Sequence, residues 1–352
     1  MKHFVFLLLS LLLFACSNSQ QEKARTHHQT AVKYAKHFRF ATQQGKEVLE
    51  IISPDTKEVV QTLQPLTENK KSIAISATII GMMNALDVAS TIVGVQEIKY
   101  VYNPLVNENF KQHKVIETGY ETQLAVEAII AVQPAVILHN GLNSAFPHQQ
   151  QFENLGIHCV PIFDWREETP LGKAEWIKVY GFLYGKMEAA VQLFTTIESN
   201  YQKLVQQART LKPYELLMSG NIIGSEWYSP AGGSFYAQLF RDANITYAFS
   251  DSKGTGSIAN TQENYLVKNR HAKIWINPGA RSLKELLAIN SKANLYDAFK
   301  EKNVYCYSKN DTYYWEMMSI MPDALLQDLI WITHPELRNG QQLIFTLIGI
   351  TG

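Results

Sequence analysis

Apolar and polar positions along the chain follow two alternating patterns, which together predict strands and helices in turn. Short apolar runs at residues 73–76, 92–95 and 135–139 are typical of buried strands. Between them, apolar positions spaced by three and four residues predict helices that bury one face. Strands and helices that alternate at this spacing favour a parallel sheet, and the pattern resumes after residue 212. The chain is therefore predicted to form two α/β lobes.

A unit that occurs twice supports the division into two lobes. One copy begins at Glu127 and the other at Glu263, and each Glu opens a short amphipathic helix followed by a polar break and an apolar run. The copies are too far apart in sequence to form one local motif. We therefore expect each lobe to present a Glu at an equivalent helix start.

The longest amphipathic stretch lies between the two lobes. Apolar side chains recur every three or four residues from 173 to 211, and Gly181 and Gly185 are candidate breaks near its start. The portion over residues 186–209 would be about 36 Å long at ~1.5 Å per residue. A helix of that length would act as a rigid strut.

The N-terminal residues have the pattern of a secretory signal. Lys2 and His3 precede an apolar run over residues 4–14, which is too short to span a bilayer as a helix of a folded protein. The run ends in Leu-Phe-Ala-Cys at residues 13–16, which resembles a bacterial lipobox. We expect Cys16 to carry lipid and tether the chain to a membrane face, the alternative being an ordinary signal peptide with a chance Cys.

These patterns divide the chain into five segments. We expect a signal peptide, a lipid-anchored tether, an N-terminal α/β lobe with an added hairpin, a connecting helix and a C-terminal α/β lobe. Their predicted bounds are, in that order, residues 1–15, 16–33, 34–170, 171–211 and 212–352.

Composition and charge exclude several functional classes. The 32 Lys and Arg residues balance 32 Asp and Glu residues, so no electrostatic feature indicates nucleic acid. The 17 Tyr and 6 Trp residues, several in predicted loops, favour a partly apolar organic ligand. The sequence has no Cys/His pair with the spacing of zinc ligands. It also has no Gly-x-Ser-x-Gly, P-loop or dinucleotide-binding motif in the right context. We expect no catalytic residue, no protein metal site and no cofactor.

Two cysteines remain besides Cys16. Cys159 and Cys306 each lie in an apolar, strand-like run, and we expect them in different lobes. Two buried thiols are favoured over a disulfide bridge, which an oxidising compartment would permit.

Taken together, these features resemble the substrate-binding lipoproteins of ABC importers, above all the binders of iron complexes and cobalamin. The likeness rests on the lipidated Cys, the two lobes, the connecting helix and the twin Glu units, and within the mature chain it covers roughly residues 70–338. Ala135 departs from the family pattern, which often has Asp after the Pro. Segments similar to Bacteroidetes-type members are residues 170–177, 227–234, 314–316, 322–323 and 334–337.

The resemblance implies that Glu127 and Glu263 meet Arg pockets on the two permease subunits. Two exposed carboxylates held apart by a rigid strut would set the register of docking and speed the encounter. The alternative is that each Glu only interacts favourably with its own helix dipole, and both roles can hold at once.

The resemblance also implies a ligand between the lobes, bound by loops that follow the carboxyl ends of the strands. Aromatic rings would bury a planar or macrocyclic ligand, and an Arg could pair with its carboxylate or phosphate. For each aromatic residue, ordinary packing is the alternative. The predicted ligand-binding residues are Trp165, Arg166, Trp227, Tyr228, Arg281, Tyr102, Ser76, Tyr236 and Trp315. A haem ligand would need an iron-coordinating side chain, for which Tyr100, Tyr102 and His139 are candidates.

We therefore expect an α/β protein of two Rossmann-like lobes with central parallel sheets, joined by one long helix. It would capture a ferric siderophore, haem or cobalamin without chemistry, close by a small hinge motion, and deliver the ligand to a permease dimer with its ATPase. It would be a periplasmic monomer, held to the membrane by lipid alone. The alternative is a surface or periplasmic lipoprotein that scavenges a ligand or adheres to a partner without a cognate importer.

Overall fold

A computed structural model of the chain describes residues 31–120, 123–142, 145–307, 313–341 and 343–348. The predicted signal peptide and Cys16 lie outside the described residues. Within the described ranges, no helix combines the length and the apolar character that crossing a membrane requires.

The described chain begins with a small antiparallel sheet. Its strands, in spatial order, are β1 (Phe38–Gln43), β2 (Lys46–Ile52) and β3 (Val59–Leu63). Gln44 and Gly45 form the turn between β1 and β2, and both have positive φ angles, as a tight two-residue hairpin turn requires. The hairpin predicted at the start of the first lobe is therefore a three-stranded sheet.

The first lobe is built on a parallel sheet. Its elements are β4 (Ser72–Ala74), α1 (Ala77–Ala85), β5 (Ile92–Val95), α2 (Pro104–Lys111), β6 (Ile116–Glu117), α3 (Val126–Ala131), β7 (Val136–His139), α4 (Gln149–Asn154) and β8 (His158–Pro161). The strand order is β6-β5-β4-β7-β8, and all the pairs are parallel. Ile73 and Ile137 are fully buried, because helices cover both faces of such a sheet.

Three consecutive helices connect the lobes. They are α5 (Pro170–Glu175), α6 (Ile177–Tyr184) and α7 (Met187–Thr210). Gly185 ends α6 in the left-handed conformation, which glycine adopts without steric cost. The long connecting helix of the prediction is α7, with 24 residues. The stretch from residue 171 onward that was expected to continue it forms two shorter helices instead.

The second lobe contains a mixed sheet and a smaller antiparallel one. Its elements are β9 (Tyr214–Ser219), β10 (Asn221–Ile223), β11 (Glu226–Pro230), α8 (Phe235–Asp242), β12 (Ile245–Tyr247), β13 (Ser257–Thr261), α9 (Gln262–Asn269), β14 (Ile274–Ile276), α10 (Leu283–Ile289), α11 (Asp297–Lys300), β15 (Val304–Tyr307), α12 (Tyr314–Met317), α13 (Pro322–Thr333) and β16 (Phe345–Leu347). The main sheet has the order β12-β9-β14-β15-β16, in which β16 alone pairs antiparallel. The small sheet has the order β10-β11-β13 and was not predicted. Cys159 lies in β8 and Cys306 in β15, so the two thiols are buried in different sheets, as expected, and no disulfide joins them.

Two buried carboxylates anchor the segment that precedes β1. Glu175 accepts hydrogen bonds from the backbone N–H groups of residues 33–35 and from Lys178 Nζ, which lies 2.7 Å away. Glu167 accepts hydrogen bonds from two further backbone N–H groups, at residues 36 and 37, and from Trp176 Nε1. A buried carboxylate is tolerated only with such partners. The small N-terminal sheet is thereby fixed to the connection between the lobes.

Candidate functional site

The carboxyl ends of parallel strands from both lobes meet at one cavity of about 660 Å³, which we call the cleft cavity. This is where ligands bind in open α/β sheets. The first lobe contributes side chains from the segments that follow β4, β5, β7 and β8, and the second lobe contributes the end of β15 and the region of α12. The lining residues are Ser76, Ala77, Thr78, Lys99, Tyr100, Tyr102, Asn140, Leu142, Asp164, Trp165, Tyr307, Trp315 and Met318.

Aromatic rings on both sides of the cleft cavity are fixed by other groups. Trp165 donates from Nε1 to the carbonyl oxygen of Asn140 at 2.7 Å. Trp315 packs edge-on against Tyr307, with 4.8 Å between ring centroids. Each Trp nevertheless keeps 39% of its surface exposed. The rings can therefore cover a flat ligand without first having to be ordered.

A short segment from the second half of the chain lies on the first lobe and contributes Trp315 and Met318 to the lining of the cavity. This segment, residues 313–321, contains α12 and is called the clasp. Glu316 Oε1 accepts hydrogen bonds from the backbone N–H groups of Tyr102 at 2.6 Å and Asn103 at 2.9 Å. Helix α1 approaches the clasp so closely that a Cβ on Gly81 would lie 1.8 Å from the carbonyl oxygen of Glu316. The clasp therefore sets the position of Trp315 relative to the first lobe.

The floor of the cleft cavity holds a carboxylate. Asp164 is only 2% exposed. Its Oδ2 accepts a hydrogen bond from Ser319 Oγ of the clasp at 3.0 Å and lies 3.9 Å from Lys173 Nζ of α5. This carboxylate joins the first lobe, the connecting helices and the clasp at one point.

Several predicted ligand-binding residues come together at this cavity. Ser76, Tyr102, Trp165 and Trp315 all line it. Ser76 also caps α1, since its Oγ accepts from the N–H of Ile79. Ser76, Tyr102 and Trp165 follow parallel strands, as the strand-end rule expects, whereas Trp315 reaches the cavity on α12. The contact of all four residues with a ligand stays a prediction.

The two predicted arginines lie beside the cavity rather than in its lining. Arg166 forms an ion pair with Asp55 at 2.7 Å, and its guanidinium carbon lies 5.2 Å from the ring of Trp165. Arg281 is exposed, and its charge opposes the burial that raises the pKa of Tyr307 to about 12. Both residues are near the site, and neither guanidinium forms its wall.

Three predicted ligand-binding residues lie elsewhere in the second lobe. Trp227 is fully buried, stacks on the ring of Tyr265 at 4.0 Å between centroids and donates from Nε1 to the carbonyl oxygen of Ser219. The prediction that it binds ligand is therefore wrong, and Trp227 is a core packing residue. Tyr228 lies next to it in β11 and pairs with β10. Tyr236 lies on α8 with a buried hydroxyl, and burial raises its pKa. Sequence reasoning placed 227 and 228 in a loop because it missed the small sheet.

Some lining residues were missed by the sequence reasoning. Asp164 lies three residues beyond the end of β8 and just before Trp165, so the strand-end rule that selected Trp165 would also have found it. Tyr307 ends β15, but its apolar run identifies only a strand. Met318 reaches the cavity only because the clasp folds back on the first lobe, and no local pattern signals that.

The candidate iron ligands are separated by the structure. Tyr100 and Tyr102 line the cleft cavity, whereas His139 lines a smaller cavity of about 200 Å³ next to it. Among the described residues, no group of three or more His, Cys, Asp or Glu side chains could hold a metal ion. Burial lowers the pKa of His139 to about 3, so its imidazole is neutral at pH 7. Nδ1 accepts from the backbone N–H of Gly141 at 3.2 Å, which leaves the ring proton on Nε2.

Neutral burial of His139 predicts a loss of stability in acid. An unfolded chain takes up the proton below pH 6.5, whereas the folded chain does not until about pH 3, so folding weakens as the pH falls through this window. In His139→Asn, the side-chain oxygen can still accept from the N–H of Gly141, but it does not titrate. We therefore expect the variant to lack this pH dependence, which amounts to about 1.4 kcal/mol of unfolding free energy per pH unit within the window. Urea unfolding of both proteins at pH 7.5 and pH 5 measures the difference.

Other groups titrate in the same pH range, but their contributions to the unfolding free energy cancel when wild type is compared with His139→Asn. Burial lowers the pKa of His37 to about 4 and raises that of Asp328 to about 7, and these effects act in opposite directions. Both are unchanged in the variant. An unfolding free energy that depends equally on pH in wild type and His139→Asn would show that His139 is not held neutral.

A second hollow, of about 730 Å³, lies at the opposite edge of the first sheet. It is lined by residues 62–67 and by segments that precede β7 and β8. All of these residues come from the first half of the chain, and none of them is Phe, Tyr or Trp. The cleft cavity, which draws aromatic side chains from both lobes, is therefore the better candidate for an organic ligand.

The twin Glu residues lie in the first turns of α3 and α9, as the sequence indicates. Both side chains are exposed. Glu263 forms an ion pair with Lys292 Nζ at 2.9 Å, whereas Glu127 forms no ion pair with any residue in the described ranges. The two carboxylates are thus accessible on separate lobes.

Comparison with known proteins identifies the architecture. A family model described as periplasmic binding protein matches residues 73–310. An uncharacterized lipoprotein of Methanocaldococcus jannaschii is 26% identical over 294 residues, which are 80% of this chain and 69% of that protein. A second uncharacterized lipoprotein of that organism is 24% identical over 265 residues, 71% of this chain and 65% of its own length.

Solved structures share the fold. The periplasmic haem-binding protein HutB of Vibrio cholerae has a TM-score of 0.56 and 13% identity, with 75% of this chain and 100% of that one covered. The periplasmic vitamin B12-binding protein BtuF of the same species has a TM-score of 0.52 and 13% identity, and the match covers 77% of this chain and 98% of that one. An ABC-type Fe³⁺-hydroxamate transport protein of Saccharomonospora viridis has a TM-score of 0.55 and 16% identity, and the match covers 84% of this chain and 98% of that one. These likenesses confirm the two-lobed α/β fold that the sequence predicts.

Proposed function

Because this chain belongs to the periplasmic binding protein family, we propose that it is the substrate-binding component of an ABC importer. It captures an iron complex or cobalamin in the cleft cavity and delivers it to a permease dimer with its ATPase. The family and its structural neighbours are solute-binding proteins rather than enzymes, in agreement with the expectation of a protein that binds without chemistry.

The observation that carries the proposal is the cleft cavity itself. It lies between the lobes, draws aromatic side chains from both, and its volume of about 660 Å³ suits an organic ligand or metal complex. The ligands named for the structural neighbours, haem, vitamin B12 and ferric hydroxamate, set the classes to test. The clasp and the connecting helices join the lobes at two places, which supports the expectation of a small hinge motion.

The remaining expectations complete the proposal. Lipid on Cys16 would hold a periplasmic monomer at a membrane, in keeping with the description of the archaeal relatives as lipoproteins. Glu127 and Glu263 would dock the two lobes on the two permease subunits. The predicted domain bounds and the likeness to Bacteroidetes-type members stay predictions.

Tryptophan fluorescence provides the first test. Trp165 and Trp315 face the cavity, whereas Trp176, Trp227 and Trp275 are fully buried. Residues 17–352 should show saturable quenching by one of cyanocobalamin, a ferric hydroxamate or haem. We expect Trp315→Ala to weaken that binding by about tenfold, since one lost aromatic contact removes ~1.4 kcal/mol.

The conservative variant Trp315→Phe serves as the control, because it keeps a ring against Tyr307 and should retain most of the affinity. Weak binding by both variants would instead indicate a disturbed clasp. If no member of the panel binds the wild-type protein, the proposed ligand class is wrong and the scavenging or adhesion alternative gains support.

A further inference from the structure

The floor of the cleft cavity combines a buried charge with an unused hydrogen-bond acceptor. Asp164 lines the cavity and is 2% exposed. Its Oδ2 is engaged by Ser319 and by the ammonium of Lys173. Its Oδ1 has no hydrogen-bond partner in the described part of the chain and is not sealed from solvent. A carboxylate oxygen this deep is costly to leave unpaired, so the site favours a molecule that supplies a donor.

The orientation of this carboxylate is set by the protein. Ser319 belongs to the clasp, and Lys173 lies on α5, so two elements hold Oδ2 from different directions. Both partners are themselves buried. Asp164 therefore meets a ligand with little freedom to turn away, which is the property of a specificity-determining group rather than of a mobile surface carboxylate.

Positive charge is scarce elsewhere in the lining. Lys99 is the one Lys or Arg among the lining residues that the structure describes, and it pairs with Glu97 at 2.9 Å. Its side chain is 59% exposed, which places it at the mouth of the cavity. The guanidinium of Arg166 is engaged by Asp55 outside the lining. A negatively charged ligand face would therefore meet a carboxylate and find little compensation.

We propose that Asp164 is a specificity-determining residue of the cleft, and that its Oδ1 accepts a hydrogen bond from an ammonium, amide N–H or hydroxyl group of the ligand. The inference rests on the proposed function and narrows it to neutral or cationic complexes that carry such a donor. Polyanionic complexes and ligands that direct carboxylates to the cavity floor are disfavoured.

Two matched pairs of probes test the inference on the wild-type protein. Ferrioxamine B carries a terminal ammonium, which N-acetylation converts to a neutral amide N–H, a weaker donor. Cyanocobalamin carries side-chain amides, and its monocarboxylate replaces one amide donor with an anion. For the pair that binds, ferrioxamine B or intact cyanocobalamin should bind roughly tenfold or more tightly than its modified partner. The first forms a charge-assisted hydrogen bond where its partner offers a neutral one, and the second avoids placing an anion against Asp164.

A variant then assigns the preference to Asp164. We expect Asp164→Asn, which keeps the shape of the side chain, to bring the ratio of the two dissociation constants in that pair close to one. Ser319→Ala removes a partner of Oδ2 but leaves the carboxylate, so it should keep the preference. Urea unfolding checks that the variants are folded, and the wild-type comparison stands without them.

The opposing outcomes separate this inference from the proposed function. Equal binding of both members of a pair, or a preference that survives Asp164→Asn, overturns the role of Asp164 and leaves the binding protein intact. Binding of haem or of a polyanionic ferric triscatecholate more tightly than the neutral or cationic probes would also overturn the role of Asp164. If no probe of any charge binds, both the inference and the proposed function fail.

Discussion

Changing both Glu127 and Glu263 to lysine is expected to abolish ligand uptake while leaving ligand affinity unchanged. The two side chains are exposed in the first turns of α3 and α9, away from the lining of the cleft cavity. If they dock against basic pockets of a permease, reversal of their charge places like charges together at both contacts, which opposes association strongly. Uptake of labelled ligand by the native host, measured beside fluorescence titration of the purified variant, separates docking from binding.

A matched control is available on the connecting helix. Glu188 is also an exposed carboxylate in a helix first turn, on α7, but it is not part of the repeated unit. Glu188→Lys should therefore leave uptake intact, because it alters only the local helix dipole interaction. Normal uptake by the Glu127/Glu263 double variant would rule out the docking role. Equal loss in the double variant and in Glu188→Lys would point to a general effect of added positive charge.

Substitution of Gly81 by alanine is expected to destabilise the protein and weaken ligand binding together. A Cβ at this position would lie 1.8 Å from the carbonyl oxygen of Glu316 and 2.4 Å from its carbonyl carbon. Both are backbone atoms, so the clasp itself must move. We expect a loss of about 3 kcal/mol in unfolding free energy, at the upper end for overpacking. We also expect ligand affinity to fall by more than about tenfold, because displacement of the clasp carries Trp315 away.

Helix propensity alone predicts the opposite result for Gly81→Ala. In an unconstrained helix interior, alanine in place of glycine stabilises by about 1 kcal/mol. Gly256 provides the control, since nothing lies within 4 Å of a Cβ placed there and its φ is not in the left-handed region. Gly256→Ala should leave both measurements unchanged. A Gly81→Ala protein as stable as wild type would mean that the clasp is not tightly seated on α1.

Local patterns were sufficient for most of the fold. Parallel strands such as β7 are continuous apolar runs, and turn-rich segments separate them from amphipathic helices, so the alternation was visible without tertiary information. The small antiparallel sheet was missed because its strands are short or polar. Residues 257–261, Ser-Ile-Ala-Asn-Thr, carry one large apolar side chain and depend on pairing with β11.

The candidate site was only partly predictable for a different reason. The ends of parallel strands converge whenever the sheet forms, which is why Ser76 and Trp165 could be expected at one cavity, and both line it. Trp227 was misplaced because Pro, Ala and Gly residues that follow it suggest a loop, while β11 buries its ring. The contact of Glu316 with Tyr102 joins residues from opposite halves of the chain, and neither segment carries a local signal of it.

The clasp occupies nine consecutive positions, 313–321, just beyond residue 310, where the match to the family model ends. One wall of the cavity and a partner of its buried carboxylate are therefore encoded in a single short stretch of the gene, separate from the codons for the twin Glu residues. If Glu127 and Glu263 dock the permease and the clasp contacts the ligand, as proposed, a duplicated gene that exchanged this stretch would change the bound ligand and keep both carboxylates. Two such binding proteins would then deliver different ligands to the same permease.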